Sequence, residues 1–185
     1  NTIGVDVNAA GIKVVLQNIA INGLGGDVGV FLHDAAEVDI NNCTISNFAV
    51  AGIQSTETTA KLNVRDTLVR DSIGITANDV WLAASTRAVL ERVRVLRNGS
   101  DGIRVEAPAN VSVKRSVLTG NAGSGLIAVA TAGTVVGATV EDSLISDNGS
   151  DGVTATSSGA GAVAEVSAAR NTITRNAVYG VNVTA

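Results

Sequence analysis

The sequence predicts an all-β solenoid, short parallel strands wound about seven times around one core, and three observations carry that prediction. The phrase RNGSDG at 97–102 returns almost letter for letter as DNGSDG at 147–152. Apolar anchors recur roughly every two dozen residues from one end of the chain to the other. The apolar content is Val, Ile and Ala, with 28 Val against 11 Leu, two Phe, one Trp, one Tyr and no Met. Such a composition favours strands and a core of small branched side chains stacked many times.

The first column of anchors is Leu16, Ile40, Val64, Leu90, Val113, Val140 and Ala168, at intervals of 24, 24, 26, 23, 27 and 28 residues. Five residues after each stand Ile21, Ile45, Val69, Val95, Leu118, Ile145 and Ile173, without one polar exception. A glycine followed by an apolar residue closes most units: Gly29-Val30, Gly52-Ile53, Gly102-Ile103, Gly125-Leu126, Gly152-Val153 and Gly180-Val181. Only Asp79-Val80 lacks the glycine, and Gly4-Val5 reads as the tail of an earlier unit. Within each stretch, inward residues alternate with outward ones, and Asn, Gly, Ser and Asp mark the turns.

Units of this length with fixed inward columns mean that each coil packs on the next. Residues 90–98 also fit the leucine-rich phrase L-x-x-L-x-L-x-x-N. That architecture returns through a helical or Leu-rich segment, whereas the returns here, such as GSDGVTATSSGAGA, are made of poor helix formers. A left-handed β-helix needs near-constant six-residue faces, which intervals of 23 to 28 forbid. The expected fold is a right-handed parallel β-helix filling residues 1–185 as a single domain. The chain begins in mid-coil and ends on a strand (VYGVNVTA), so it reads as a piece lacking its caps. Its ends are expected to be covered by sequence absent here or by another copy, an end-to-end or edge self-association.

Stacking answers why one turn is written twice. Asn98, Asn121, Asn148 and Asn176 follow their anchors by eight residues and are expected to form a ladder, each amide bonding its neighbours. The glycines after them are expected to supply positive φ at the corner. Cys43 falls on a core position and is read as a buried free thiol.

Composition closes several routes. One His and one Cys leave no His/Cys cluster for a metal, and no Gly-Lys-Ser/Thr phosphate loop is present, so no metal and no cofactor is expected. A net charge of −4 with well-mixed signs argues against nucleic acid. No apolar run reaches about 18 residues, so no membrane span is expected. The outward charges fall into columns that pair from coil to coil: Arg65, Glu91, Lys114 and Glu141; Asp66 beside Arg92, then Arg115, Asp142 and Arg170; Asp71 with Arg97 and Asp147 with Arg175.

One outward column differs, running Asp6, Phe31, Gln54, Trp81, Arg104, Ile127, Thr154 and Asn182. Alternation points Phe31 and Trp81 outward, with Arg104 one coil beyond. The coil carrying Trp81, residues 72–87, lacks both the ladder Asn and the Gly, and irregularity in a regular array marks a functional position. Phe31, Gln54, Trp81 and Arg104 are therefore the candidate carbohydrate-binding residues.

The phrases NNCTISN, RNTITRN, NGSDGI and NGSDGV resemble the parallel β-helix repeat of pectate lyases, polygalacturonases, alginate epimerases and many secreted bacterial proteins, over residues 2–185. The resemblance implies a secreted or cell-surface protein and polysaccharide as partner. It does not carry over catalytic residues. The hydrolases use an Asp-Asp pair and a Gly-His-Gly phrase, whereas this chain has no Asp-Asp and places His33 in FLHDAAE, where it reads as a solvated turn residue. The lyases need a carboxylate nest facing a base, and none faces the basic stretch 90–115. Epimerase-like sites gather Asp, His and Tyr, yet the single Tyr179 lies far from His33 and Asp34. The expectation is a non-catalytic scaffold or adhesive module contacting polysaccharide; the alternative is a lyase or epimerase relative acting on acidic glycans.

Overall fold

The computed structural model describes residues 2–55, 60–75, 77–83, 85–106 and 108–185, so that Thr76 and Ala84 of the irregular coil lie outside the described residues. The described residues form 22 strands and no helix. Each coil lays down three strands, as in Arg87–Glu91, Arg94–Leu96 and Ile103–Glu106. Each strand pairs in parallel with its equivalents in the neighbouring coils. Three sheets result. The first has eight strands, from Ile3–Asn8 to Val181–Thr184. The second has seven, from Lys13–Gln17 to Val163–Ala169, and the third has seven, from Ala20–Asn22 to Thr172–Thr174.

The registry read from the sequence is the registry of the sheets. Leu16, Ile40, Val64, Leu90, Val113, Val140 and Ala168 are successive partners in the second sheet. Ile21 through Ile173 are partners in the third, and Val5 through Val181 in the first. These columns meet inside the coil, where Ile40, Val64, Leu90, Val113 and Val140 are all 0% exposed. Short branched side chains suit this interior because every coil must fill the same narrow cross-section.

Both tight corners use left-handed backbone, but glycine seldom supplies it. Between the second and third sheets, Asn18, Asn42, Asp66, Arg92, Arg115, Asp142 and Arg170 have φ between +50° and +57°. Between the third and first sheets, Asn47, Asp71, Arg97, Gly120, Asp147 and Arg175 have φ between +53° and +69°, each just before the ladder position. Gly99, Gly102, Gly149 and Gly152 are not among the positive-φ residues, which corrects the expectation that they supply it. They are small because a neighbouring coil is close, the one below for Gly99 and Gly149 and the one above for Gly102 and Gly152. A Cβ on Gly102 would lie 2.6 Å from the Gly125 carbonyl oxygen, and one on Gly152 would lie 2.5 Å from that of Gly180.

The asparagine ladder is present. Nδ2 of Asn98 donates to Asn121 Oδ1 at 2.6 Å, Asn121 to Asn148 at 2.9 Å and Asn148 to Asn176 at 2.8 Å. The same Oδ1 atoms accept the backbone N–H of the residue one coil below. A second ladder, which the sequence reading missed, runs through the other tight corner. There the Cys43, Val93, Ser116 and Ser143 amides donate to the side-chain oxygens of Thr67, Ser116, Ser143 and Asn171. Polar side chains thus take up backbone N–H groups along both corners where the strand ladders lapse. Cys43 is a free thiol, 4% exposed.

Most outward charges pair as their columns predict, although Arg115 crosses to Glu91 of the neighbouring column. Arg92 meets Asp66 and Arg170 meets Asp142 at 2.7 Å through two nitrogens each, Arg175 meets Asp147 at 2.7 Å, and Arg97 meets Asp71 at 3.0 Å. Lys114–Glu141 and Arg65–Glu91 lie at 3.3 and 3.8 Å. In every two-nitrogen pair the partners occupy equivalent left-handed corners of adjacent coils, so the corner geometry aims one at the other.

Candidate functional site

The first sheet places Asp6, Phe31, Gln54, Trp81 and Arg104 in one outward column, as read from the sequence. It does not leave them equally accessible. Phe31 is only 5% exposed and stacks on His33, with ring centroids 5.1 Å apart. The column's lower aromatic is therefore covered, contrary to the exposed strip expected. His33 also departs from expectation: it lies on the strand Val28–Asp34, half-buried, with Nδ1 3.7 Å from Asp6 Oδ1.

Gln54, Trp81 and Arg104 remain half-buried and adjacent in register. Arg104 is held by two carboxylates, Glu106 Oε1 at 2.7 Å and Asp101 Oδ2 at 3.4 Å. Beside it opens a recess of about 320 Å³ lined by Val50, Asn78, Trp81, Ser100, Arg104 and Glu106. Two polar atoms of these lining residues, Trp81 Nε1 and Asn78 Oδ1, are buried without a hydrogen-bond partner. Orphaned buried polar atoms are rare enough in native proteins that two among the residues lining one recess call for an explanation.

A larger concavity escaped the sequence reading. On the outer face of the second sheet a trough of about 730 Å³ crosses the coils from Glu37 to Ser167. Its floor is the outward column Asn63, Val89, Ser112, Thr139 and Ser167, and the column beside it runs Glu37, Lys61, Arg87, Asn110, Gly137 and Glu165. Among the described residues, no carboxylate stands within ion-pair distance of Lys61 or Arg87. The signal was there in principle: short side chains in one outward column between long ones make a furrow.

The irregular coil has a specific internal cause. Ser72 occupies the ladder position and Asp79 the glycine position, and both are buried. Ser72 Oγ lies 2.6 Å from Asp79 Oδ1, its hydroxyl donating to the carboxyl. Burial pushes the Asp79 carboxyl up to about 7, against the pull of hydrogen bonds from Ser72 and the Leu96 backbone, and nearby Asp71 adds to the rise. Among the described residues no three His, Cys, Asp or Glu side chains gather to hold a metal ion.

The model for the right-handed β-helix region matches residues 1–139. The chain belongs to the right-handed β-helix family. No curated protein matches this β-helix. Among solved structures it is similar to the A-module of the Azotobacter vinelandii mannuronan C-5 epimerase AlgE4, at 18% identity and a TM-score of 0.58. That likeness covers 91% of this chain and 58% of the module, so the β-helix spans little more than half the length of that neighbour. A second similarity, to a mutant of the periplasmic alginate epimerase AlgG, has 12% identity and a TM-score of 0.37 over 86% of this chain and 48% of that one. At 18% identity the likeness to the epimerase module concerns the fold alone. No helix among the described residues is long and apolar enough to cross a membrane.

Proposed function

We propose that this β-helix is a non-catalytic, secreted or surface-exposed module that holds an extended polysaccharide, with Gln54, Trp81 and Arg104 as its contact and Phe31 supporting the same face from beneath His33. The observation that carries the reading is the recess beside Trp81, where an indole and a guanidinium fixed by Glu106 and Asp101 converge. Indole faces suit the C–H faces of sugars, and a planar, pre-oriented Arg suits vicinal hydroxyls. The pairing of outward charges within their own columns supports a scaffold whose remaining surface serves coil registry. Strands at both ends of each sheet keep one edge unpaired among the described residues, and we extend the proposal to a second copy of the chain pairing there.

The second reading, a relative of polysaccharide lyases or epimerases acting on acidic glycans, is favoured by the trough with exposed Lys61 and Arg87. One experiment separates the two. Binding on a glycan array, weakened at least about tenfold (~1.4 kcal/mol) in Trp81→Ala with no change in the glycan, supports the module. Double-bond absorbance or altered uronate composition after incubation with alginate or pectin supports the enzyme. Binding untouched by Trp81→Ala but lost in Ser112→Arg moves the seat to the trough and overturns the recess as the contact.

A further inference from the structure

The asparagine ladder has a lower end, and that end is chemically unfinished. In each complete rung, Oδ1 accepts from the coil below: Asn121 from Asn98, Asn148 from Asn121, and Asn176 from Asn148. Asn98 Oδ1 accepts nothing, although it is buried. The coil below offers Ser72 at the ladder position, but Ser72 gives both its hydroxyl and its backbone N–H to Asp79. Asp79 Oδ2 is buried and has no partner either.

Registry places the two residues that carry these oxygens in adjacent coils, one next to the other. Asp79 stands in the glycine column, just before Val80, which pairs with Ile53 below and Ile103 above. Along that column a Cβ reaches the next rung of the ladder. One on Gly102 would lie 2.7 Å from Asn121 Nδ2, one on Gly125 2.9 Å from Asn148 Nδ2, and one on Gly152 2.8 Å from Asn176 Nδ2. The same step carries the Asp79 side chain to Asn98.

Flipping the Asn98 amide does not repair the fault. Its orientation is fixed by neighbours on both sides, with Nδ2 donating to the Asp101 carbonyl oxygen at 3.2 Å as well as to Asn121 Oδ1. Turning the whole ladder over fails too. Each higher Oδ1 also accepts a backbone N–H, and the amide nitrogens of Asn148 and Asn176 donate to the Leu118 and Ile145 carbonyls.

We propose that Asp79 is held as the neutral carboxylic acid and donates its Oδ2 proton to Asn98 Oδ1, so that a protonated aspartate closes the foot of the asparagine ladder inside the β-helix. One proton then satisfies two buried acceptors that otherwise repel each other, and no uncompensated charge remains in the core. The charged groups around the site are few and are spent on one another. Asp71 is held by Arg70 and Arg97, and Asp101 in the coil above accepts from the Ser124 amide and Arg104. Of these, Asp71 acts on Asp79, and its negative charge also favours the neutral form. The strand that carries Asp79 carries Asn78 and Trp81, so ionising the acid disturbs the wall of the recess proposed to take the glycan.

The test uses the whole chain and its single tryptophan. A protonated-carboxyl stretch in the infrared spectrum of the wild type at mildly acid pH, absent from Asp79→Asn, is the expected result. Loss of no such band on that substitution overturns the proposal. Trp81 emission, followed from mildly acid to mildly alkaline pH, is expected to show a transition near pH 7 that Asp79→Asn abolishes and His33→Gln leaves in place. A transition that survives Asp79→Asn, or that disappears with His33→Gln, overturns it. Asn98→Ala, which removes the acceptor, is expected to shift the midpoint; an unchanged midpoint sinks the pairing with Asn98.

Discussion

Asn98 and Asn121, 23 positions apart in the chain, share a 2.6 Å hydrogen bond from Nδ2 to Oδ1, and the backbone N–H of Asn98 turns to the same oxygen. This bond is one rung of a column buried at Asn98, Asn121 and Asn148 and half-buried at Asn176. A mid-ladder rung has neighbours on both sides, whereas Asn176 has a rung partner only below it. Asn121→Ala is expected to cost about 3 kcal/mol, from lost hydrogen bonds near 1 kcal/mol each and from the partners left unpaired. Asn176→Ala should cost about 1 kcal/mol. Urea unfolding of the two variants checks the order; equal costs would mean that the rungs do not act through their neighbours.

The glycine column makes a prediction that separates space from backbone conformation. Gly102 has ordinary φ but no room, whereas Gly133 has φ of +72° and nothing within 4 Å of a built Cβ. Gly102→Ala should destabilise by about 2 kcal/mol or more, because the intruding methyl forces the next coil aside. Gly133→Ala should cost only about 1 kcal/mol, the strain of a left-handed alanine. Thermal melts of both variants test the assignment, and the reverse order would refute it.

Stability should also depend on pH with two limbs of opposite sign. The Arg175 guanidinium pulls the Asp147 carboxyl down to about 2, and Arg92, Arg115 and Arg170 hold Asp66, Glu91 and Asp142 below their usual values. The folded state therefore binds fewer protons at these groups than the unfolded one. Their contribution is present above the ordinary carboxylate range and is lost as pH falls from about 4 through about 2. Asp79 acts the other way: raised to about 7, its contribution is full below its usual 3.8 and is lost as pH rises toward 7. The melting temperature is expected to peak in mildly acid solution. Asp79→Asn should flatten the upper limb alone, and added salt should flatten the lower limb, whose pairs are exposed and screened.

What the sequence determined by itself was the vertical order of the molecule. In a solenoid each coil touches only its neighbours, so the inward columns at Leu16, Ile21 and Val5 and the asparagine ladder follow from spacing and alternation alone. The charge columns follow for the same reason, since opposite signs one coil apart must meet. Only the tertiary structure decided matters of cover and close approach. It buried Phe31 beside His33, gave positive φ to Arg97 and Asp147 in place of the glycines, and hollowed the trough on the second sheet. It also turned Asp79 inward against Ser72. These features depend on how far backbones stand apart and on which polar atoms lose their water, quantities that a pattern of residue types along one chain does not contain.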